Sequence, residues 1–353
     1  MNNYKGRTIF CIIAVAGFLV VFFFDPQCIV NGVSNGLKVC ETAVIPALFP
    51  FMVLSDFLVR SKLSEVIGNA LAPVTKALFR LPGCAGCAVL MSMAGGYPVG
   101  AKMTAQLLEN GDISCNQGKR MMLFCVNSGP AFVIGTVGTV IFSSRKAGII
   151  LYVSLVVSAL IMGIVSRFFD SSSPQIKQKN ITFDAKVISK SVTEAMNATL
   201  GICAWILIFS CVGPIVDSLP IVKEKTVWIK SLFEVTGGCM DAAAIYPMSI
   251  QALIMGWSGL SVHCQLLPYI RATGVKYLHF LLSRLMHGAL SATIADFLFR
   301  IFPCETDVFS SSSQIMPELY SVSIPAAVSM ILLAMMLIAD MSFKRIKTNN
   351  GEA

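Results

Sequence analysis

Gly83-Cys84-Ala85-Gly86-Cys87-Ala88-Val89-Leu90-Met91-Ser92-Met93-Ala94-Gly95-Gly96-Tyr97-Pro98-Val99-Gly100-Ala101-Lys102-Met103-Thr104-Ala105-Gln106-Leu107-Leu108 is the most informative part of this chain. It has no charge before Lys102 and is long enough for a membrane helix, yet Gly95-Gly96 and Pro98 interrupt it halfway. Hydrocarbon cannot satisfy the backbone N–H and C=O groups that a broken helix exposes. Such a break must face protein, water or a ligand. A second apolar region, residues 242–269, is interrupted in the same manner by Gly256-Trp257-Ser258-Gly259-Leu260-Ser261.

The rest of the sequence is of the same kind. Of 353 residues, 55% are hydrophobic and only 13% charged, against about 25% charged in soluble domains. The mean hydropathy is +0.74. A soluble enzyme, a nucleic-acid module and a disordered scaffold are excluded on this ground. The net charge of +8 sits in loops between apolar runs, at Lys5 and Arg7, Lys119 and Arg120, Lys177 to Lys190, and Lys344 to Lys347. That placement is the positive-inside pattern, so the partner is the lipid bilayer and not nucleic acid. Most of the twelve cysteines lie in apolar runs, where cysteine acts as a small soft hydrophobe. The lone Cys84-x-x-Cys87 pair lacks the further ligands a zinc site needs. No metal or cofactor is expected.

A helix needs about 20 apolar residues to span the hydrocarbon core. Uncharged runs of that order occur at residues 121–144, 147–166, 195–216 and 319–339. Residues 37–59 and 277–299 tolerate one or two charges, and residues 8–24 form a first span with no small-residue cleavage site behind it. The expectation is an all-α polytopic membrane protein, with about eight transmembrane helices plus broken or re-entrant segments. The basic ends place both termini in the cytoplasm. Arg145 and Lys146, between two apolar runs, resist a simple crossing scheme.

Polar residues 171–190, with Ser171-Ser172-Ser173-Pro174, divide the chain. The expected organisation is a membrane span in 1–30, a first half in 31–170, a cytoplasmic linker in 171–190 and a second half in 191–302. A loop, last span and basic tail fill 303–353. The two Gly/Pro motifs lie about 160 positions apart, an offset that also pairs Gln106 with Gln265 and Gly129 with Gly288 to within one residue. The common offset implies two related halves.

Paired helix breaks in two halves are the sequence pointer to a transporter's midplane site. The candidate ligand-binding residues are Gly96, Tyr97, Pro98, Gly100, Lys102, Asn127, Ser128, Trp257, Ser258, Gly259, Ser261 and His263. Tyr97 and Trp257 are suited to stack on a flat ligand. Lys102 would meet an anionic group or a carboxylate, or snorkel to the interface. Asn127-Ser128-Gly129-Pro130 interrupts the longest uncharged run with groups that donate and accept. His263 reads as a ligand contact, a proton carrier or a hydrogen-bonded structural histidine. Glu41 and Glu194, near the start of the leading helix of each half, are ion- or proton-coupling candidates if buried and helix-start carboxylates at a membrane edge, the edge being the preferred reading. Glu234 and Asp241, which flank Thr236-Gly237-Gly238 ahead of the second break, are read in the same way. No nucleophile elbow, phosphate loop or zinc helix occurs, so no catalysis is expected.

Three strings carry a family resemblance: Ala47-Leu48-Phe49-Pro50-Phe51, Gly96-Tyr97-Pro98-Val99-Gly100-Ala101-Lys102, and Trp257-Ser258-Gly259-Leu260-Ser261-Val262-His263. Together the chain resembles the sporulation integral membrane protein YlbJ family over roughly residues 36–302. That family carries the nucleoside-recognition (Gate) domain, also found in spore maturation membrane proteins and concentrative nucleoside transporters. The resemblance implies a bacterial cell-membrane protein of spore formation, with spore membrane proteins as partners and a small polar or nucleoside-like solute as ligand. Val99 departs from the pattern, which has a small polar residue there, and Asn127 and Pro130 are kept from a related polar stretch. A transporter-like protein is the first functional expectation. A non-transporting structural or signalling component of a spore membrane complex is the alternative.

Overall fold

The structure, a computed structural model, describes residues 26–169, 185–217 and 223–304. The expected first span at 8–24, the last span at 319–339, the basic tail and most of the linker lie outside the described residues. Every regular element among those described is helical. Three helices are long and apolar enough to cross a membrane: Pro26–Arg60, Arg145–Phe169 and Lys186–Asp217.

The first of these comprises α1 (Pro26–Val39), a π-helical turn at Cys40–Val44 and α2 (Ile45–Arg60). Pro46 and Pro50 lack the N–H that would bond the preceding turn, and the wide π turn lies just where Pro46 removes its donor. The expected domain boundary at residue 30 therefore falls inside a continuous helix. Next come α3 (Leu63–Phe79), α4 (Gly83–Gly95), α5 (Tyr97–Glu109) and α6 (Cys115–Phe124). After a break, a π-helical segment Ala131–Ile141 leads to α7 (Arg145–Ser166). The second part holds α8 (Ala185–Ser210), α9 (Val212–Asp217), α10 (Lys223–Phe233) and α11 (Val235–Ala243). It ends with α12 (Met248–Trp257), α13 (Gly259–Thr273) and α14 (Tyr277–Ile301). Because α8 starts at Ala185, Lys186 and Lys190 belong to a helix and not to a linker.

Long helices pack through small residues, as expected where lipid gives no hydrophobic drive between helices. A Cβ on Gly32 of α1 would lie 2.6 Å from the Cα of Cys211, beside the end of α8.

The apolar region 83–108 is not one continuous helix. Its two arms, α4 and α5, form a hairpin whose ends meet: Cys84 Sγ–H donates to the Asp112 carbonyl at 3.7 Å. At that end Lys62 binds both oxygens of Asp112, at 3.1 and 2.8 Å. The chain enters the hairpin through an 86° bend between α3 and α4. The tip is Gly96, whose φ of +90° favours glycine, and Pro98 sits in the first turn of α5, where its missing N–H costs nothing.

A second hairpin comes from the opposite end. Helices α10 and α11 fold back on one another about Glu234. Lys230 meets Asp241 across them at 2.8 Å, and a Cβ on Gly238 would lie 2.6 Å from the Cα of Ser231. Glu234 caps α11, its carboxylate accepting from the N–H groups of Thr236 at 2.9 Å and Gly237 at 2.6 Å.

Two further segments are interrupted helices. The uncharged run 121–144 is not one helix: α6 stops at Phe124 and the chain resumes at Ala131. Likewise α12 gives way to α13 at Ser258 and Gly259, with φ of 78° and 74°. The start of α12 lines an open pocket with Phe142, Asp296 and Phe299 near the end of α14. The end of α13 lies near the start of α6, where Cys115 Sγ–H donates to Thr273 O at 3.9 Å. The expected offset of about 160 thus aligns unlike elements. Gly96 is the tip of a hairpin, whereas Ser258 interrupts a helix that runs on.

Candidate functional site

The interruptions converge in the interior. The Tyr97 hydroxyl, at the first hairpin tip, donates to Met255 O near the end of α12 at 2.7 Å. It accepts from Ser128 Oγ in the α6 break. Ser258 Oγ–H lies 3.3 Å from the same Met255 carbonyl. Tyr97, Asn127, Ser128 and Ser258 are all buried.

Each hairpin tip rests on the break of its neighbouring helix. A Cβ on Gly129 would stand 3.2 Å from Gly96 N and Cα. A Cβ on Gly259 would stand 3.1 Å from Phe233 O and 3.2 Å from Val235 N, at the second tip. Trp257 Nε1–H ties the same tip by donating to Leu232 O at 3.1 Å. Gly100 admits the close approach of Ser92 and the Cys125 carbonyl, which a side chain there would strike.

The other sequence candidates are placed as follows. His263 is buried with both ring nitrogens engaged. In the neutral ring, Nε2–H donates to the Trp257 carbonyl at 3.1 Å, so Nδ1 accepts from the Tyr277 hydroxyl at 3.1 Å. The Trp257 ring packs on His263 with centroids 4.6 Å apart. Ser261 accepts from Gln265 Nε2–H at 3.2 Å. Lys102 stands apart from the junction, one to two turns along α5. Its Nζ lies 3.2 Å from Oδ1 of Asp56 on α2. Asp56 is fully buried and also accepts from Arg60 Nε and Gln106 Nε2. Of the two partners foreseen for Lys102, the structure supplies the carboxylate.

Three further residues were passed over as site candidates in the sequence. Arg284 of α14 is fully buried and donates through Nη1 to Val126 O and through Nη2, at 2.6 Å, to Leu123 O. It thereby satisfies carbonyls that the end of α6 leaves without helical partners. His287, one turn on, donates through Nε2 to Leu155 O at 3.0 Å. Gln251 of α12 is also fully buried. The signal for Arg284 and Asp56 was a charge inside an apolar run, which marks function or fixed pairing in a membrane. Among the described residues no cluster of three or more His, Cys, Asp or Glu could hold a metal ion.

Residues 42–168 match the family model described as Gate, nucleoside recognition. That interval takes in the first hairpin, the α6 break and α7. The chain is 25% identical over 320 residues to the sporulation integral membrane protein YlbJ of Bacillus subtilis (strain 168), covering 78% of each chain. No solved structure matches. The chain is thus a membrane protein whose residues 42–168 match the Gate nucleoside-recognition model, and it is similar over most of its length to a sporulation integral membrane protein.

Proposed function

We propose that this protein is a transporter-like component of the sporulating bacterial cell membrane, without enzymatic activity. It moves a small polar or nucleoside-like solute through a site at the junction of Tyr97, Ser128 and Ser258. The observation that carries the reading is the hydrogen bond from Tyr97 to Met255 O, which joins a hairpin tip to an interrupted crossing helix. Irregular backbone at membrane depth is tolerated only where it is buried in protein or lines a cavity. The names of the Gate family and of the Bacillus subtilis relative support the solute class and the link to sporulation.

In this reading two related halves are inverted with respect to one another. Helix α2 answers to α8, hairpin α4–α5 to α10–α11, broken α6 to broken α12–α13, and α7 to α14. Gly96 and Glu234 then correspond across 138 positions, and Gly129 and Gly259 across 130. Six crossings and two re-entrant hairpins fall in the described residues, and the apolar runs 8–24 and 319–339, counted on sequence alone, bring the crossings to eight. Arg60, Lys62, Arg80, Lys119, Arg271 and Lys276 gather at the first hairpin's end, which is the cytoplasmic one by the positive-inside rule. Both termini then lie in the cytoplasm. Lys146 falls at the outer end, where its Nζ donates to Pro303 O at 2.9 Å.

The test is uptake into proteoliposomes of labelled nucleosides, nucleobases and other small polar solutes. Saturable uptake of one class, abolished by Tyr97→Ala in folded protein, is the expected result. A flat panel from folded wild-type protein removes the solute and favours the scaffold alternative.

A further inference from the structure

Hydrogen-bond accounting at the junction separates groups that are already occupied from groups that are not. Tyr97, Ser128, Ser258, Trp257 and His263 all spend their polar atoms inside the protein. Gln251 does not. It is fully buried, and among the described residues neither Nε2 nor Oε1 has a hydrogen-bond partner. Asn127 is half engaged: Nδ2 donates to Ser92 Oγ at 3.2 Å and Phe124 O at 3.1 Å, while Oδ1 has no partner. Those two bonds fix the orientation of the amide, so Oδ1 is held as an acceptor.

Gln251 lies one helical turn before Met255, the residue whose carbonyl holds Tyr97. Leu253, Gly256 and Trp257 approach Gly288 of α14. At 100° per residue, Gln251 and Met255 are on the opposite side of α12. A buried amide left unpaired is strongly penalised, and a methionine or leucine would fill the same space without that penalty.

We propose that Gln251, aided by Asn127 Oδ1, reads the solute, and that the solute presents a hydrogen-bond donor beside an acceptor on one edge. An amide, a lactam or the pairing edge of a nucleobase has this form. Gln251 meets such an edge with its own N–H and C=O side by side, and Asn127 accepts a further N–H. This inference rests on the central solute site proposed above. It assigns recognition to residues other than the aromatic and hydroxyl groups that the motifs display.

The test is thermal melting of the full-length protein in detergent with uridine, nicotinamide, their N-methylated forms lacking the N–H donor, and ribose. Wild type should be stabilised by uridine or nicotinamide and not by the methylated forms or ribose. Gln251→Met should melt at or above the wild-type temperature without solute, because an unpaired amide has been removed, and should bind about tenfold more weakly or worse. A Gln251→Met protein that retains the wild-type response overturns this inference alone. So does a solute-free variant that melts well below wild type, since Gln251 would then be bonded in the resting protein. A wild type that responds to no probe counts against the central site itself, and this inference falls with it.

Discussion

Tyr97 and Met255 are 158 positions apart in sequence and 2.7 Å apart in space, hydroxyl to carbonyl oxygen. The bond joins the tip of the first hairpin to the interrupted helix α12, and Ser128 adds a third element to it. Removing only the hydroxyl leaves the Met255 carbonyl and the Ser128 hydroxyl without it. Tyr97→Phe should therefore destabilise the protein by about 1–3 kcal/mol, read as a lowered melting temperature in detergent. In a double-mutant cycle with Ser128→Ala the two losses should be less than additive.

Arg284 supplies what the interrupted α6 lacks. Its planar fork serves two carbonyls at once, which a lysine cannot reproduce. Arg284→Met should cost on the order of 2–5 kcal/mol by leaving both carbonyls buried and unpaired, and Arg284→Lys should recover only part. The measurement is the fraction of folded protein after graded denaturation. Full rescue by lysine would show that charge alone matters there.

The buried Asp56–Lys102 pair should behave as a unit. Lys102→Met leaves a fully buried carboxylate with Arg60 and Gln106 only, and Asp56→Leu leaves a buried ammonium. Each should cost about 3–5 kcal/mol. The double substitution Asp56→Leu/Lys102→Met should be milder than the sum, because no lysine or aspartate charge is left without its mate. Folded yield on size exclusion and the melting temperature report the difference.

The glycine contacts predict opposite outcomes for the same change. A Cβ on Gly256 would stand 2.5 Å from the Cα of Gly288, backbone against backbone. Gly256→Ala must therefore separate α12 from α14, at about 1–3 kcal/mol or more. Gly201 has nothing among the described residues within 4 Å of its Cβ position. Gly201→Ala in α8 should be neutral or stabilising by up to about 1 kcal/mol. Parallel melting curves for the two variants check this.

The proposed topology places Cys115, exposed at the start of α6, and Cys304, after α14, on opposite faces of the membrane. In variants keeping one of these cysteines, a membrane-impermeant maleimide should label Cys304 from outside intact cells and Cys115 only in inverted vesicles. Labelling of both from one face would overturn the crossing scheme.

Much of this arrangement could be read from the residues. Low charge and long apolar runs gave the helical membrane class, and Gly95-Gly96, Asn127 to Pro130 and Gly256 to Gly259 marked real interruptions, because glycine, proline and side-chain amides disturb a helix locally. The second hairpin was harder. Residues 223–243 carry several charges and no long apolar run, so hydropathy does not mark them. The repeat offset misled because two breaks rich in glycine look alike whether the chain turns back or continues.

The amino-acid sequence was sufficient for the membrane class, the position of each break and the family resemblance, since these follow from composition, local backbone preference and short motifs. Which breaks turn back, which polar groups meet and which stay unpaired depended on packing between segments more than 100 positions apart. Tyr97 finding Met255, Lys102 finding Asp56 and Gln251 finding no partner among the described residues are of that kind. A side chain's hydrogen-bonding capacity is written in its type, but its partner is set by which distant backbone the fold brings within about 3 Å.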